Sequence, residues 1–229
     1  MNVCKIGVTI TNGLVLDQLR VCLGTRVLFE LSATVSPGEV LTVMGASGSG
    51  KSSLLSCIAG TLSTAFTAQG KLLLEGVPLL GLPPERRGVG LLFQDDLLFP
   101  HLSVGGNLAF AIPRDIHSKH DRRRLIEDAL VDCGLNGFAD RDPATLSGGQ
   151  RARISVMRVL LSRPRALLLD EPFSKLDHAL RGQFRTFVFR EAQRRALPIV
   201  LVTHDPADAE AAGNNVITLS EEQLIIDIE

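Results

Sequence analysis

Val40-Leu41-Thr42-Val43-Met44-Gly45-Ala46-Ser47-Gly48-Ser49-Gly50-Lys51-Ser52-Ser53 decides the fold of this 229-residue chain. Val40 to Met44 is a short β-rich run, and Gly45 to Ser52 follows it in the pattern G-x-x-x-x-G-K-S. Ser53–Ile58 then continues as an apolar helical segment. A strand, a glycine-rich loop and a helix start, in that order, make a cradle for phosphate. Glycines let successive backbone N–H groups converge without Cβ clashes, and the helix N-terminus adds partial positive charge. Lys51 supplies a full charge to the β- and γ-phosphates, and Ser52 offers a hydroxyl to Mg2+, whose octahedral shell takes hard oxygen ligands. At average glycine usage such a pattern arises by chance in roughly one chain in a hundred of this length. The loop alone says that a nucleoside triphosphate or a similar phosphate is bound; kinases and many ATPases share it.

Outward from the loop, Leu167–Leu169 and Ile199–Val202 are further short apolar runs. Continuous apolar strands of this kind suit a parallel sheet covered on both faces, in an α/β protein. Ala166-Leu167-Leu168-Leu169-Asp170-Glu171-Pro172 ends in two carboxylates, and ligands of open α/β sheets sit beyond the carboxyl ends of the strands. Asp170 is placed to hold Mg2+, directly or through water, and Glu171 to polarise an attacking water. His204, closing the second run, is placed to touch the γ-phosphate or hold that water. His101, His117, His120 and His178 read as ordinary surface residues. Leu14–Leu19, Thr25–Leu31 and Gly70–Glu75 look like strands of an antiparallel sheet beside the parallel one. Residues 96–163 look mainly helical, with Ile126, Ala129, Leu130 and Cys133 on one helical face. The preceding Arg122, Arg123 and Arg124 read as a solvated face, with a partner or acidic lipid surface as the alternative.

Composition bounds the function. Hydrophobic residues make up 45% and charged residues 21%, an ordinary globular mix that excludes disorder. The formal net charge of −1 shows no basic excess, and the chain has neither Trp nor Tyr, so no nucleic-acid partner is expected. Cys4, Cys22, Cys57 and Cys133 form no CxxC pair and read as reduced thiols. Met1 to Gly13 lacks the features of a secretory signal, and no run of about 18–20 apolar residues is present. A protein of the cytoplasm, without its own membrane span, is expected.

Leu146-Ser147-Gly148-Gly149-Gln150 opens a further helical segment, Arg151–Leu161. Ser-Gly-Gly at a helix start is a second anion site, built from backbone N–H groups, a hydroxyl and the helix dipole. It is equally an ordinary N-cap with Ser147 as cap residue. Two anion sites for one triphosphate suggest that two chains meet head to tail, each capping the other's nucleotide.

With these motifs in order along residues 14–218, the chain resembles the ATP-binding subunits of ABC transporters, and among them the uptake-type, YnjD-like group. Gly45–Ser52 matches that family's Walker A, and Gln94 in Phe93-Gln94-Asp95 its Q-loop. Leu146–Gln150 matches the signature, Leu167–Glu171 Walker B with the catalytic glutamate, Ser174-Lys175-Leu176-Asp177 the D-loop, and His204 the switch histidine. The YnjD-like group enters through Asp142–Arg153 and Asp170–Ser174.

The resemblance implies a P-loop NTPase fold of the ABC ATPase type. A RecA-like core and an antiparallel β subdomain would occupy about 1–95 and 164–229, and a helical subdomain about 96–163, in one domain. It implies ATP and Mg2+ as cofactors and a homodimer with two ATP molecules at its interface. Gly45, Ala46, Ser47, Gly48, Ser49, Gly50, Lys51, Ser52 and Ser53 of one chain would face Ser147, Gly148, Gly149, Gln150 and Asp177 of the other. Glu171, His204, Gln94 and Lys51 would carry catalysis, and Ser52, Gln94 and Asp170 would hold the metal. The partners implied are a membrane-spanning permease and a solute-binding protein, with this subunit peripheral on the cytoplasmic face of the membrane. One departure stands out. Leu23 falls where the family stacks adenine on an aromatic, which implies weak discrimination between ATP and GTP. Export or lipoprotein-release ATPases share these motifs, and soluble ABC ATPases are a further alternative. The stretch between Gln94 and Ser147 is too short for the coiled coils of DNA-repair members. A small-molecule kinase would leave Ser147–Gly149 unexplained.

Overall fold

Alternation of apolar side chains builds the centre of the molecule, a computed structural model that describes residues 13–213, 215–219 and 226–227. Five parallel strands form one sheet in the order β6-β7-β8-β3-β9. They are β3 (Val40–Gly45), β6 (Val89–Leu92), β7 (Ala166–Asp170), β8 (Ile199–Val202) and β9 (Val216–Leu219). In β7, Ala166 and Leu168 enter one hydrophobic cluster while Leu167 and Leu169 enter another; in β8, Val200 and Val202 part from Ile199 and Leu201 in the same way. Both faces are therefore buried, which is why these strands read as unbroken apolar runs. A leucine lost from such a position costs about 2–5 kcal/mol.

The second sheet has the order β10-β2-β1-β4-β5. Its strands are β1 (Leu14–Leu23), β2 (Arg26–Val35), β4 (Phe66–Leu74), β5 (Val77–Pro78) and β10 (Ile226–Asp227). β1 runs antiparallel to β2 and β4, as the pattern suggested. It extends past Leu19 because a bulge breaks the register between Leu16 and Leu19, with Gln18 at φ 49°. The extra residue changes the parity of the inward face from Leu14 and Leu16 to Leu19 and Val21, all buried. Simple alternation loses the strand at that point. Sequence reading also passed over β6 and β9, each of four residues.

Helix α1 (Lys51–Ala59) packs between the two sheets' apolar faces, contributing Leu54, Leu55 and Ile58 to the first cluster. Between β6 and β7 lie α2 (Val104–Ala111), α3 (Lys119–Asp132) and α4 (Gly148–Leu161). With α5 (His178–Arg194), they share the second cluster through Leu108, Leu130, Met157 and Val188. α6 (Pro206–Ala212) follows β8. Of the arginines read as a solvated face, Arg123 and Arg124 are exposed and pair with Glu127 and Asp121. Arg122 departs from that reading. It turns inward to donate to the carbonyls of Ala109, Pro113 and Ile116, closing the C-terminal end of α2. Cys57 and Cys133 are buried, and burial pushes both thiols up to about 11, so they are inert. Cys22 is also a free thiol, and Cys4, with the rest of residues 1–12, lies outside the described residues.

Arg87 is a buried plug under the C-terminal end of α1. It donates to the carbonyls of Cys57 (2.6 Å), Ile58 (3.1 Å) and Leu82 (2.8 Å). Removing a charged donor strands those acceptors. Arg87→Met is expected to lower unfolding free energy by about 2–3 kcal/mol, read as a lower urea midpoint at unchanged slope. An unchanged midpoint would show that the plug contributes nothing.

Candidate active site

Sheet register carries the functional side chains to one edge. Val43 pairs with Val202, and Asp170 pairs with Val202 on the other side, so β3, β7 and β8 end at one level. The Glu171 N–H donates to Val202 O (3.0 Å) and the Thr203 N–H to Val43 O (3.3 Å), carrying the ladder one residue further. Gly45, Asp170, Glu171 and His204 leave the sheet there, and the segment after β6 brings Gln94 to the same edge.

The loop from Gly45 to Gly50 needs its glycines. At Gly45 (φ 148°) a Cβ would lie 2.3 Å from Leu219 O and 2.7 Å from Ser49 Oγ. Gly50 (φ 95°) is the left-handed N-cap of α1, a conformation that L side chains rarely adopt. Lys51 is only 8% exposed, its ammonium donating to Gly45 O (2.7 Å) and Ala46 O (2.6 Å). Ser49 Oγ is buried inside the loop without a hydrogen-bond partner. An orphaned hydroxyl, a buried cation and the N–H groups of a helix start fit a bound phosphate. Beyond the loop a cleft opens, lined by Ser47, Gly48, Lys51, Ser52, Ser53 and Glu171, with Leu23, Leu28 and Phe66 as its apolar lining and Arg26, paired with Leu23 across the sheet, as a further charged residue.

Glu171 has φ 46°, uncommon for a residue with a side chain and characteristic of functional turns. Its Oε1 lies 3.3 Å from His204 Nδ1, and His204 is 65% exposed. The loop under His204 is anchored to α5. Arg181 Nη1 donates to Asp205 Oδ2 (2.5 Å), Arg185 Nη1 to Asp208 Oδ1 (2.8 Å), and Thr203 Oγ1 to Asp208 Oδ2 (2.9 Å). The Ala207 N–H, first, and Arg181 hold the Asp205 carboxyl below the usual range. Burial, first, and the neighbouring Glu171 raise the Asp170 carboxyl, against the pull of Lys51. A divalent cation at Asp170 and the Ser52 hydroxyl would relieve that burden, so the donor set fits Mg2+.

The structure does not bring every expected residue into this cleft. Gln94 and Gly148 line a different groove, together with Asp95, Asp96, Arg151 and Lys175. Ser147 caps α4. Its Oγ accepts from the Gln150 N–H (3.3 Å), and its own N–H donates to Gln150 Oε1 (2.9 Å), a complete capping box. Gly149 is buried in the first turn of α4. Asp177 caps α5, accepting from the Leu180 N–H (3.0 Å), and is exposed. Ionic ties missed in the sequence join these segments. Arg151 Nε donates to Asp96 Oδ2 (2.9 Å), Arg158 reaches the carbonyls of Asp96 and Leu97, and Lys175 pairs with Asp95. The residues in each tie lie tens of positions apart, so no local spacing announces them.

A glycine-rich loop between strand and helix, with two carboxylates ending a parallel strand one place beyond its neighbour in the same sheet, defines a P-loop nucleoside triphosphatase. A profile described as ABC transporter matches residues 28–174. The chain belongs to the ABC transporter family, as one of its ATP-binding, ATP-hydrolysing subunits. It is 49% identical over 187 residues to the ABC transporter ATP-binding protein YnjD of Escherichia coli, covering 82% of this chain and 86% of that one. It is 38% identical over 214 residues to the thiamine import ATP-binding protein ThiQ of Jannaschia sp., covering 93% and 91%. The Fe(3+) ions import ATP-binding protein FbpC of Brucella melitensis is 39% identical over 192 residues, covering 84% of this chain and 54% of that one.

The raised Asp170 carboxyl has a consequence for stability. Its charged form is disfavoured in the fold, so stability is lost as pH rises from the unfolded carboxyl's range, near 3.9, through the folded one. Asp170→Asn, melted without metal or nucleotide, is expected to equal or exceed the parent melting temperature at pH 7.5, with a smaller gap near pH 4. A variant clearly less stable than the parent at pH 7.5 would contradict this.

Proposed function

We propose that this chain powers solute import by closing as a head-to-tail homodimer around two Mg2+-ATP molecules. It would dock on a membrane-spanning permease served by a solute-binding protein. The observation that carries the dimer is the separation of the two anion sites. No member of Ser147–Gln150 lines the cleft at Lys51, so a site that uses both takes them from two chains. The chain's place would be peripheral, on the cytoplasmic face of the membrane; among the described residues no helix is long and apolar enough to cross one. Import follows the relatives ThiQ and FbpC, both named as import ATP-binding proteins. On this reading the parallel sheet and α1 are a RecA-like core, β1, β2 and β4 an antiparallel β subdomain, and residues 96–163 a helical subdomain.

The chain's own groups divide the work. The N–H groups of residues 46–51 receive the phosphate oxygens, and the Lys51 ammonium turns from its two carbonyl acceptors to the β- and γ-phosphates. Ser52 and Asp170 would hold Mg2+, with Gln94 reaching it only by moving out of its own groove, and the cation would supply neutralisation of phosphate charge. Glu171 accepts a hydrogen bond from the attacking water and orients it, and His204 steadies Glu171 and the γ-phosphate. From the partner copy, the first turn of α4 adds N–H groups and its dipole, and Asp177 approaches the same nucleotide. Gln94 passes occupancy of the site to α4 through the Asp96–Arg151 pair and to the turn after β7 through the Asp95–Lys175 pair.

Glu171→Gln keeps size and hydrogen bonding but removes the base. With Mg2+-ATP it is expected to elute as a dimer and to hydrolyse at least about 100-fold more slowly than the parent. Monomeric elution with ATP present, or near-parental turnover, would contradict the role given to Glu171.

A further inference from the structure

The apolar lining of the cleft includes an aromatic ring that comes from an unexpected strand. Leu23, at the end of β1, pairs directly with Phe66, at the start of β4. Residues directly opposite in an antiparallel ladder point to the same face, with Cβ atoms about 4.5–5.5 Å apart. Both line the cleft, next to Ser52 and Ser53 in the first turn of α1. Leu23 is 44% exposed, whereas Phe66 is half-buried against the margin of the first hydrophobic cluster. The two strand ends are pinned together. The Gly24 N–H donates across to Ala65 O (3.5 Å), and the Phe66 N–H closes the turn before β4 by donating to Ser63 O (3.0 Å). The chain has no Trp or Tyr, and of its phenylalanine and histidine rings Phe66 is the one that lines this cleft.

We propose that the nucleobase of the bound triphosphate stacks on Phe66, with Leu23 as its apolar neighbour, so that β4 supplies the aromatic platform that β1 lacks. The inference rests on the reading of the cleft as a nucleoside triphosphate site. Triphosphate held at the N-terminus of α1 leaves sugar and base to extend past Ser52 and Ser53 toward the Leu23–Phe66 pair. Stacking on a ring accepts any base, because every base has a π-face. A Phe66 platform therefore strengthens nucleotide binding without selecting adenine, and the weak preference between ATP and GTP implied by Leu23 is retained.

Equilibrium binding of Mg2+-ATP, Mg2+-GTP and Mg2+-tripolyphosphate to the full chain separates the base from the phosphates. Phe66→Ala is expected to weaken ATP and GTP in parallel by about tenfold, the size of one base–aromatic stack, and to leave tripolyphosphate within about twofold of the parent. Phe66→Trp guards against a folding defect. It introduces a single tryptophan whose fluorescence is expected to change with ATP and GTP but not with tripolyphosphate, at near-parental affinity. Parental ATP affinity in Phe66→Ala, an equal loss of all three ligands, or a tryptophan blind to ATP would overturn the proposal. A parent chain that binds tripolyphosphate and ATP equally well would sink the platform while sparing the phosphate site. A parent that binds none of the three would remove the nucleotide site and this inference with it.

Discussion

The parallel register of β3, β7 and β8 is the constraint on which the site depends. Three strands buried on both faces cannot slide without turning apolar residues out of one cluster into the other, since side chains alternate with a period of two. Their carboxyl ends are therefore locked at one level, and whatever follows them is locked as well. Gly45 opens the phosphate loop, Asp170 and Glu171 end β7, and Thr203 leads from the middle strand, β8, to His204. The groups that handle a triphosphate are short-range devices, effective over a few ångströms. A sheet with exposed faces and a soft register would not hold them in place.

Charge is arranged around that edge at some cost to the fold. Lys51 is buried against carbonyls, the Asp170 carboxyl is pushed up by burial and by Glu171, and Glu171 sits at a positive φ. A phosphate and its cation would answer each of these demands, which is how a binding site differs from a stable core. The surrounding ion pairs do the opposite work. Arg181–Asp205 and Arg185–Asp208 fix the His204 loop to α5, and Arg151–Asp96 and Lys175–Asp95 join the segment after β6 to α4 and to the turn after β7. On the proposed function, such ties are the route by which a change at the γ-phosphate position would reach a helical surface.

Much of this was legible in the chain itself. The loop from Gly45 to Ser52, the apolar β7 ending in Asp170 and Glu171, and β8 before His204 are local patterns, readable because strand, turn and helix start follow one another directly. The helical stretch between β6 and β7 was equally plain from its spacing. What escaped was set by distant contact or by a break in period. The bulge near Gln18 hides the far half of β1, four-residue β6 and β9 carry too little pattern, and Arg122 looks solvated until α2 is packed beside it. Phe66 was missed for the same reason: its meeting with Leu23 is a pairing across the sheet, between residues far apart in sequence.

The central claim is that one working site needs the phosphate loop of one copy and the Ser147–Gly149 turn of another. Mixing a Lys51→Ala chain with a Ser147→Arg chain tests it most directly, because their heterodimer contains one site with both parts intact. The account predicts that each variant alone is inactive as an ATPase and that the mixture regains turnover in proportion to heterodimer formed. No recovery despite confirmed heterodimer, or full turnover by a single subunit shown to remain monomeric, would contradict it.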